Sequence, residues 1–202
     1  MLLNDDELQE IGLVEPFSVE SLQEGVLSWG LSAFGYDIRL SPEEMLCFSK
    51  RNPINLFRRL VIDPKNFTRE RAKSFMTKLP LEKEGKDSYF LIPPFSYCLG
   101  VSMEYIKIPN NTLSFTFNKS TYARCGLSVP ATVLEPEWEG YLTLELNNET
   151  PFGIKVYAEE GICQLVSAKG NACKESYRKK GGKYMYQEQQ VVFPKIIHGK
   201  QH

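Results

Sequence analysis

No run of about 18 apolar residues occurs in the 202-residue chain, so no membrane-crossing helix is expected. The opening stretch MLLNDDELQE is acidic, where a secretory leader is basic and then apolar, and the chain is read as cytoplasmic. There is no C-x-x-C pair. The five cysteines, Cys47, Cys98, Cys125, Cys163 and Cys173, are odd in number and irregular in spacing. That pattern supports neither a disulfide framework nor a structural zinc site, and reduced, mostly buried thiols are expected. Histidine is scarce: His198 and His202 close the sequence and are read as a trailing tail, not metal ligands. Repeats and low-complexity tracts are missing too. So is any excess of charge, since 24 Lys and Arg stand against 25 Asp and Glu, which argues against a binder of nucleic acid polymers. With 42% hydrophobic residues the chain can bury one substantial core, and a single domain over 1–202 is expected.

The charge that is present is unevenly placed. Residues 1–50 carry ten acids against Arg39 and Lys50, whereas 167–202 carry eight bases against Glu175 and Glu188. A basic end is in the plainest case a solvated terminus; the sharper reading is a basic flap over a small anion. Near the start, Asn4 followed by Glu7 has the form of a capping box, and Ser18 before VESLQEGVL suggests a second short helix. After that the pattern is β. YDIRL, YFLIPPFSYCLGV, YIKIP, TLSFTF, YLTLEL, GIKVYA and GICQLV are short strand-forming segments separated by Pro, Gly and Asn, the spacing of a sandwich or barrel. Two connections, about 50–88 and 167–190, have weak periodicity and many charges, and connections of that length are usually functional, disordered or used between subunits.

Three segments carry candidate chemistry. In YLTLELNN the alternation sends Leu142, Leu144 and Leu146 into a core and Tyr141, Thr143, Glu145 and Asn147 to the other face. Glu145 then sits in mid-strand between a hydroxyl and an amide, as a solvent-face carboxylate, an edge guard or a catalytic group. Upstream, EPEWEG places Trp138 at a turn, where it either closes the core or walls a pocket for a ring. KSTYARCG, residues 119–126, sets two cations and two hydroxyls within six positions and poses the question of its anion.

Taken in order, KSTYARCG, EPEWEGYLTLELNN, EEGICQL and SYRKKGGKYMYQ closely resemble the dCTP deaminase family of the dUTPase-like superfamily, and LSWGLSAFGYDIRL and VIDPKNF look like the same family's opening segments. The resemblance implies an all-β body with short N-terminal helices, a distorted jelly-roll or β-barrel of the β-clip type, assembled as a homotrimer with sites between subunits. The anion it implies is a nucleoside triphosphate. Lys119, Ser120, Thr121, Tyr122, Ala123 and Arg124 match the phosphate-binding segment, whose charge-assisted hydrogen bonds are the strong kind. Ser120 and Arg124 also match residues that hold the catalytic water and carboxylate. Thr143, Leu144 and Glu145 match the pyrimidine-reading strand, with Glu145 as the catalytic carboxylate. Glu135, Trp138 and Gln164 match nucleotide contacts, and Tyr177, Lys183 and Gln187 match a segment at 171–190 that covers the nucleotide.

The implied reaction is hydrolytic deamination of dCTP to dUTP and ammonia, with water activated by Glu145 and no zinc. The H-x-E and P-C-x-x-C set of zinc deaminases is absent, and Mg²⁺ is implied only on the substrate triphosphate. In some members dTTP acts as an inhibitor. Two departures bear on this: the connection LSVPATVLEPE is shorter than in other members and has Thr132-Val133 where they carry Thr-Ala, and Glu135 replaces an aspartate. A dUTP diphosphatase or bifunctional enzyme is one alternative, disfavoured by Glu135 and the lack of a Gly-rich arm. A non-catalytic nucleotide sensor is the other, disfavoured by the intact Ser120, Arg124 and Glu145.

Overall fold

The computed structural model describes residues 1–19, 24–48 and 61–196. In chain order the elements are α1 (Asp5–Ile11), β1 (Val14–Glu15), β2 (Gly30–Ser32), β3 (Gly35–Arg39), β4 (Leu46–Phe48), α2 (Arg69–Ala72), β5 (Met76–Lys78), β6 (Glu82–Glu84), β7 (Asp87–Ile92), β8 (Tyr97–Lys107), β9 (Thr112–Asn118), α3 (Ser120–Ala123), β10 (Leu127–Ser128), β11 (Val133–Leu134), β12 (Glu139–Asn148), β13 (Ile154–Tyr157) and β14 (Gly161–Lys169). The chain is mainly β, as its sequence pattern predicts.

The capping box forms as expected. The Glu7 N–H donates to Asn4 Oδ1 at 3.0 Å and the Asn4 N–H to Glu7 Oε2 at 3.1 Å. Gly12, in the left-handed region at φ 64°, then stops the helix. The expected helix after Ser18 is not seen in its described part: 24–29 run as a turn and irregular chain, and 20–23 lie outside the described residues. His198 and His202 also lie outside them, as do 50–60 of the first long connection. The rest of that connection holds α2, β5 and β6. KSTYARCG, set among strand formers, makes the single helical turn α3.

Among the described residues the strands form three sheets. One runs β10-β12-β8-β4-β5 with β1 also on β8; a second runs β11-β9-β14-β3-β2; a small third runs β13-β7-β6. All named pairings are antiparallel, as expected where short turns join neighbouring strands. The alternation on β12 is observed as read: Leu142, Leu144 and Leu146 are buried, with half-buried Tyr141, Thr143, Glu145 and Asn147 between them. The leucines join Ile38, Cys98, Cys163 and Leu165 in one core. Burial of each such side chain contributes about 1.5–3 kcal/mol. Cys47 and Cys98, free and buried, face each other across β4 and β8.

The two larger sheets meet at a buried ion pair. Arg39 on β3 donates from its main-chain N to Glu104 Oε2 at 2.8 Å and from Nε to Glu104 Oε1 at 2.6 Å, while Glu104, on β8, is fully buried. The Arg39 guanidinium also lies 3.8 Å from the centre of the Trp29 ring, which covers it. Burial raises the Glu104 carboxyl above its ordinary value in spite of Arg39. Removing the carboxylate by Glu104→Ala would leave a guanidinium desolvated and unpaired, and is expected to cost about 3–5 kcal/mol in urea unfolding. A loss below about 1 kcal/mol would place the pair among surface bridges of little consequence.

Candidate active site

β12 carries Thr143 and Glu145 on the face away from the core, and this face forms the base of a cavity of about 460 Å³. Its walls are aromatic and apolar: Phe48, Phe67, Tyr97, Leu99 and Trp138, with Tyr177 and Tyr184 from the C-terminal segment. Trp138 is 4% exposed and belongs to the core as well as to the cavity wall, so the two readings of the sequence are both realised. Within the wall Phe48 stacks on Phe67 at 5.9 Å, and Phe67 meets Phe193 edge-on at 5.6 Å. A second cavity of about 460 Å³ shares Glu135 and Tyr177 with the first and adds Lys180 and Lys183. One enclosure is thus suited to a flat ring, and its neighbour brings cations.

The segment after β14 is pinned across this site by its main chain. Tyr177 N–H donates to Pro136 O at 3.0 Å, Tyr186 N–H to Glu139 O at 2.7 Å, and Tyr141 N–H to Gln187 O at 3.0 Å. The last contact needs a glycine: Gly140 has φ 147°, and a Cβ there would stand 2.6 Å from Gln187 N. Gly182 packs against the Tyr177 ring at a distance no Cβ could share, while Tyr184 N–H donates to the Tyr177 hydroxyl at 3.1 Å. The basic stretch read as a flap is therefore a loop held at both ends.

Further on, Val192 N–H donates to Thr143 Oγ1 at 3.0 Å, and Thr143 Oγ1 lies 3.3 Å from Gln187 Oε1. Val191 is clamped on both sides of its main chain, its N–H donating to Glu44 Oε2 at 2.8 Å and its carbonyl accepting from Arg69 NH2 at 2.7 Å. Arg69 and Glu44 form a two-point ion pair at 2.7 and 3.1 Å.

The residues expected to form the site divide into two groups. Glu135, Trp138, Thr143, Glu145, Tyr177 and Gln187 border the main cavity, and Lys183 borders its neighbour. Leu144 turns its side chain into the core, which leaves its main chain to the site. The other group, Lys119–Arg124 and Gln164, borders neither cavity. Ser120, Thr121, Ala123 and Arg124 are exposed on and after α3. Tyr122 is buried, its hydroxyl accepts from Tyr157 N–H at 2.9 Å, and burial raises its phenol. The Lys119 ammonium is already paired, donating to Asp37 and, at 2.9 Å, to Ser28 Oγ. Gln164 donates to Ser32 Oγ at 3.0 Å.

Tyr97, Phe48 and the Glu44–Arg69 clamp were not anticipated. Their signal is strand register and long-range packing, which a single sequence does not display. Burial and the adjacent Glu145 carboxylate push the Tyr97 phenol up to about 12, so it stays a neutral donor. Among the described residues no cluster of three or more His, Cys, Asp or Glu is arranged to hold a metal, and no helix is long and apolar enough to cross a membrane.

An aromatic enclosure with a carboxylate at its base and lysines in the adjoining cavity, on a mainly β body, suits a flat ring bearing anionic groups. Residues 4–170 match the family model described as dCTP deaminase-like, and the chain belongs to that family. It is 45% identical to a dCTP deaminase of Acidobacterium capsulatum over 92% of each chain. It is 43% identical to one of Helicobacter pylori, strain P12, over 93% of this chain and 92% of that one. Among solved structures it resembles 2'-deoxycytidine 5'-triphosphate deaminase from Agrobacterium tumefaciens, with a TM-score of 0.55 and 16% identity. That likeness, which covers 86% of this chain and 50% of the other, is one of fold.

The clamp on Val191 yields a pH dependence. Burial acts to raise the Glu44 carboxyl, but hydrogen bonds from Arg69 and from Val191 N–H outweigh it and hold the group below its ordinary value. The docked segment therefore favours ionised Glu44: its contribution is present above the ordinary carboxylate pKa and is lost as pH falls through the lowered one. Amide exchange at Val191, followed by NMR and corrected for intrinsic rate, should lose protection across that acidic window, and Glu44→Gln should lower it already at neutral pH. Unchanged protection in both would show that packing alone holds the segment.

Proposed function

We infer that the chain is a dCTP deaminase, converting dCTP and water into dUTP and ammonia. The observation that carries this reading is the Glu145 carboxylate at the base of an aromatic cavity, in a chain whose nearly full-length relatives bear that activity in their names. The cytosine ring fits between the aromatic walls, with main-chain groups of Thr143 and Leu144 at its polar edge. Glu145 takes a proton from water, and the resulting hydroxide adds to C4. The same carboxyl returns one proton to N3 and assists a second to the amine, which leaves as ammonia while C4 becomes a carbonyl. Fixed donors around the tetrahedral carbon lower the barrier because they need no reorganisation as charge shifts. Ser120 and Arg124 fill that role, and Ser120, Thr121, Arg124 and Lys183 hold the phosphates. Magnesium on the substrate triphosphate would neutralise phosphate charge, bound through phosphate oxygens and water rather than by protein side chains.

Separation of Ser120 and Arg124 from the Glu145 cavity supports a site completed between chains, in a closed homotrimer. Exposed donors on α3 of one subunit would meet the cavity of the next. This arrangement accounts for a phosphate-binding segment with its hydroxyls and guanidinium turned to solvent.

Two experiments follow. Glu145→Gln keeps shape and hydrogen bonding but removes the base, so dCTP turnover should fall at least about a hundredfold with nucleotide binding largely kept. Product analysis by chromatography separates dUTP from dUMP, and near-normal turnover by the variant would remove Glu145 from the chemistry. The shared site is tested by co-expressing Glu145→Gln and Arg124→Ala chains, each strongly impaired alone. Mixed oligomers should regain part of the activity, because some of their sites combine two intact halves. If they stay as impaired as either chain alone, the site lies within one chain.

A further inference from the structure

We propose that Tyr97 is a positioning residue for Glu145: its hydroxyl holds one oxygen of the carboxylate and leaves the other to receive the proton of the attacking water. This rests on the reading of Glu145 as the catalytic base.

The geometry comes from the pairing of β8 with β12. Asn147 lies opposite Tyr97 and Glu145 opposite Leu99, which makes Tyr97 the diagonal neighbour of Glu145 on the same face of the sheet. A diagonal pair is separated by about 7–8 Å at the backbone, a gap that a long aromatic side chain spans and a short one does not. Both residues border the main cavity. The Tyr97 ring packs against Phe48, with centroids 6.0 Å apart and planes tilted by 59°. Phe48 in turn stacks on Phe67. The ring is thus packed in an aromatic column on the face of the sheet that carries Glu145, and the two side chains border one cavity.

A glutamate has three side-chain torsions, and a carboxylate free to rotate spends much of its time with neither oxygen aimed at the reacting water. General-base catalysis depends on that aim. A neutral phenol is suited to supply it: it donates one directional hydrogen bond and brings no charge of its own. Burial and the neighbouring carboxylate both act against its ionisation, so it remains a neutral donor at neutral pH.

Tyr97→Phe tests this, since it keeps the ring in the aromatic column and removes only the hydroxyl. Loss of one hydrogen bond to a charged group should lower kcat about tenfold or more. KM for dCTP should stay within about twofold, because the change acts on the reacting state and not on substrate binding. The melting temperature should be unchanged. In a Glu145→Gln background the same substitution should have little further effect, since the group it positions is already lost. The proposal is overturned if Tyr97→Phe keeps wild-type kcat, if the loss falls on KM instead, or if the loss is as large in the Glu145→Gln background. Should Glu145→Gln alone retain turnover, the reading of Glu145 fails, a result separate from the failure of Tyr97 in an enzyme that Glu145→Gln inactivates.

Discussion

The antiparallel ladder between β8 and β12 is the constraint on which the rest depends. Because side chains alternate along a strand, one register fixes two surfaces together. Leu142, Leu144 and Leu146 enter the core on one side, and Thr143 and Glu145 are thereby fixed at the base of the cavity on the other. A slip by one residue would bury the carboxylate among apolar groups and expose the leucines. The hydrophobic core thus specifies where on the sheet the Glu145 carboxylate stands. The same ladder sets Tyr97 diagonal to Glu145 and brings Glu104 to Arg39, so the join between the sheets and the site share one strand, β8.

Around this frame the cavity is closed by parts distant in sequence. The 61–75 region supplies Phe67 and Arg69, β4 supplies Phe48, and the final segment supplies Tyr184, Gln187 and Val192. β4 is held by its pairing with β5 and β8, and the final segment by main-chain contacts to β12 and by the Glu44–Arg69 pair, which satisfies both polar groups of Val191. A polar clamp on an otherwise apolar contact fixes register where packing alone tolerates sliding. The aromatic side chains of the column then meet at defined angles and not as a loose cluster.

Much of this was legible in the sequence, and the unevenness has physical causes. The leucine alternation identified a strand and its two faces, because a period of two is a local property. The capping box at Asn4 is local in the same way. The ordered motifs located Glu145, Thr143, Trp138, Tyr177 and Gln187, which the fold gathers around one cavity. Tyr97 was hidden because its role depends on which residue of another strand lies beside it. KSTYARCG forms one helical turn, yet its first charge is turned inward to Asp37, a partner more than eighty positions earlier that no spacing rule reveals. Burial of that pair raises the Asp37 carboxyl despite the lysine, so the contact anchors the segment at some electrostatic cost.

The double pinning of the basic segment would change the thermodynamics of any closure over a ligand. Had 171–190 been a free end, each binding event would have to gather it from a wide ensemble and lose that entropy anew. With Tyr177 fixed to Pro136 and Tyr186 and Gln187 fixed beside Gly140, the intervening lysines belong to a loop whose ends already meet. The entropy of loop closure is lost once, on folding. Lys180 and Lys183 remain close to the neighbouring cavity at a high effective concentration, and only side-chain rotamers and a few backbone torsions are left to order.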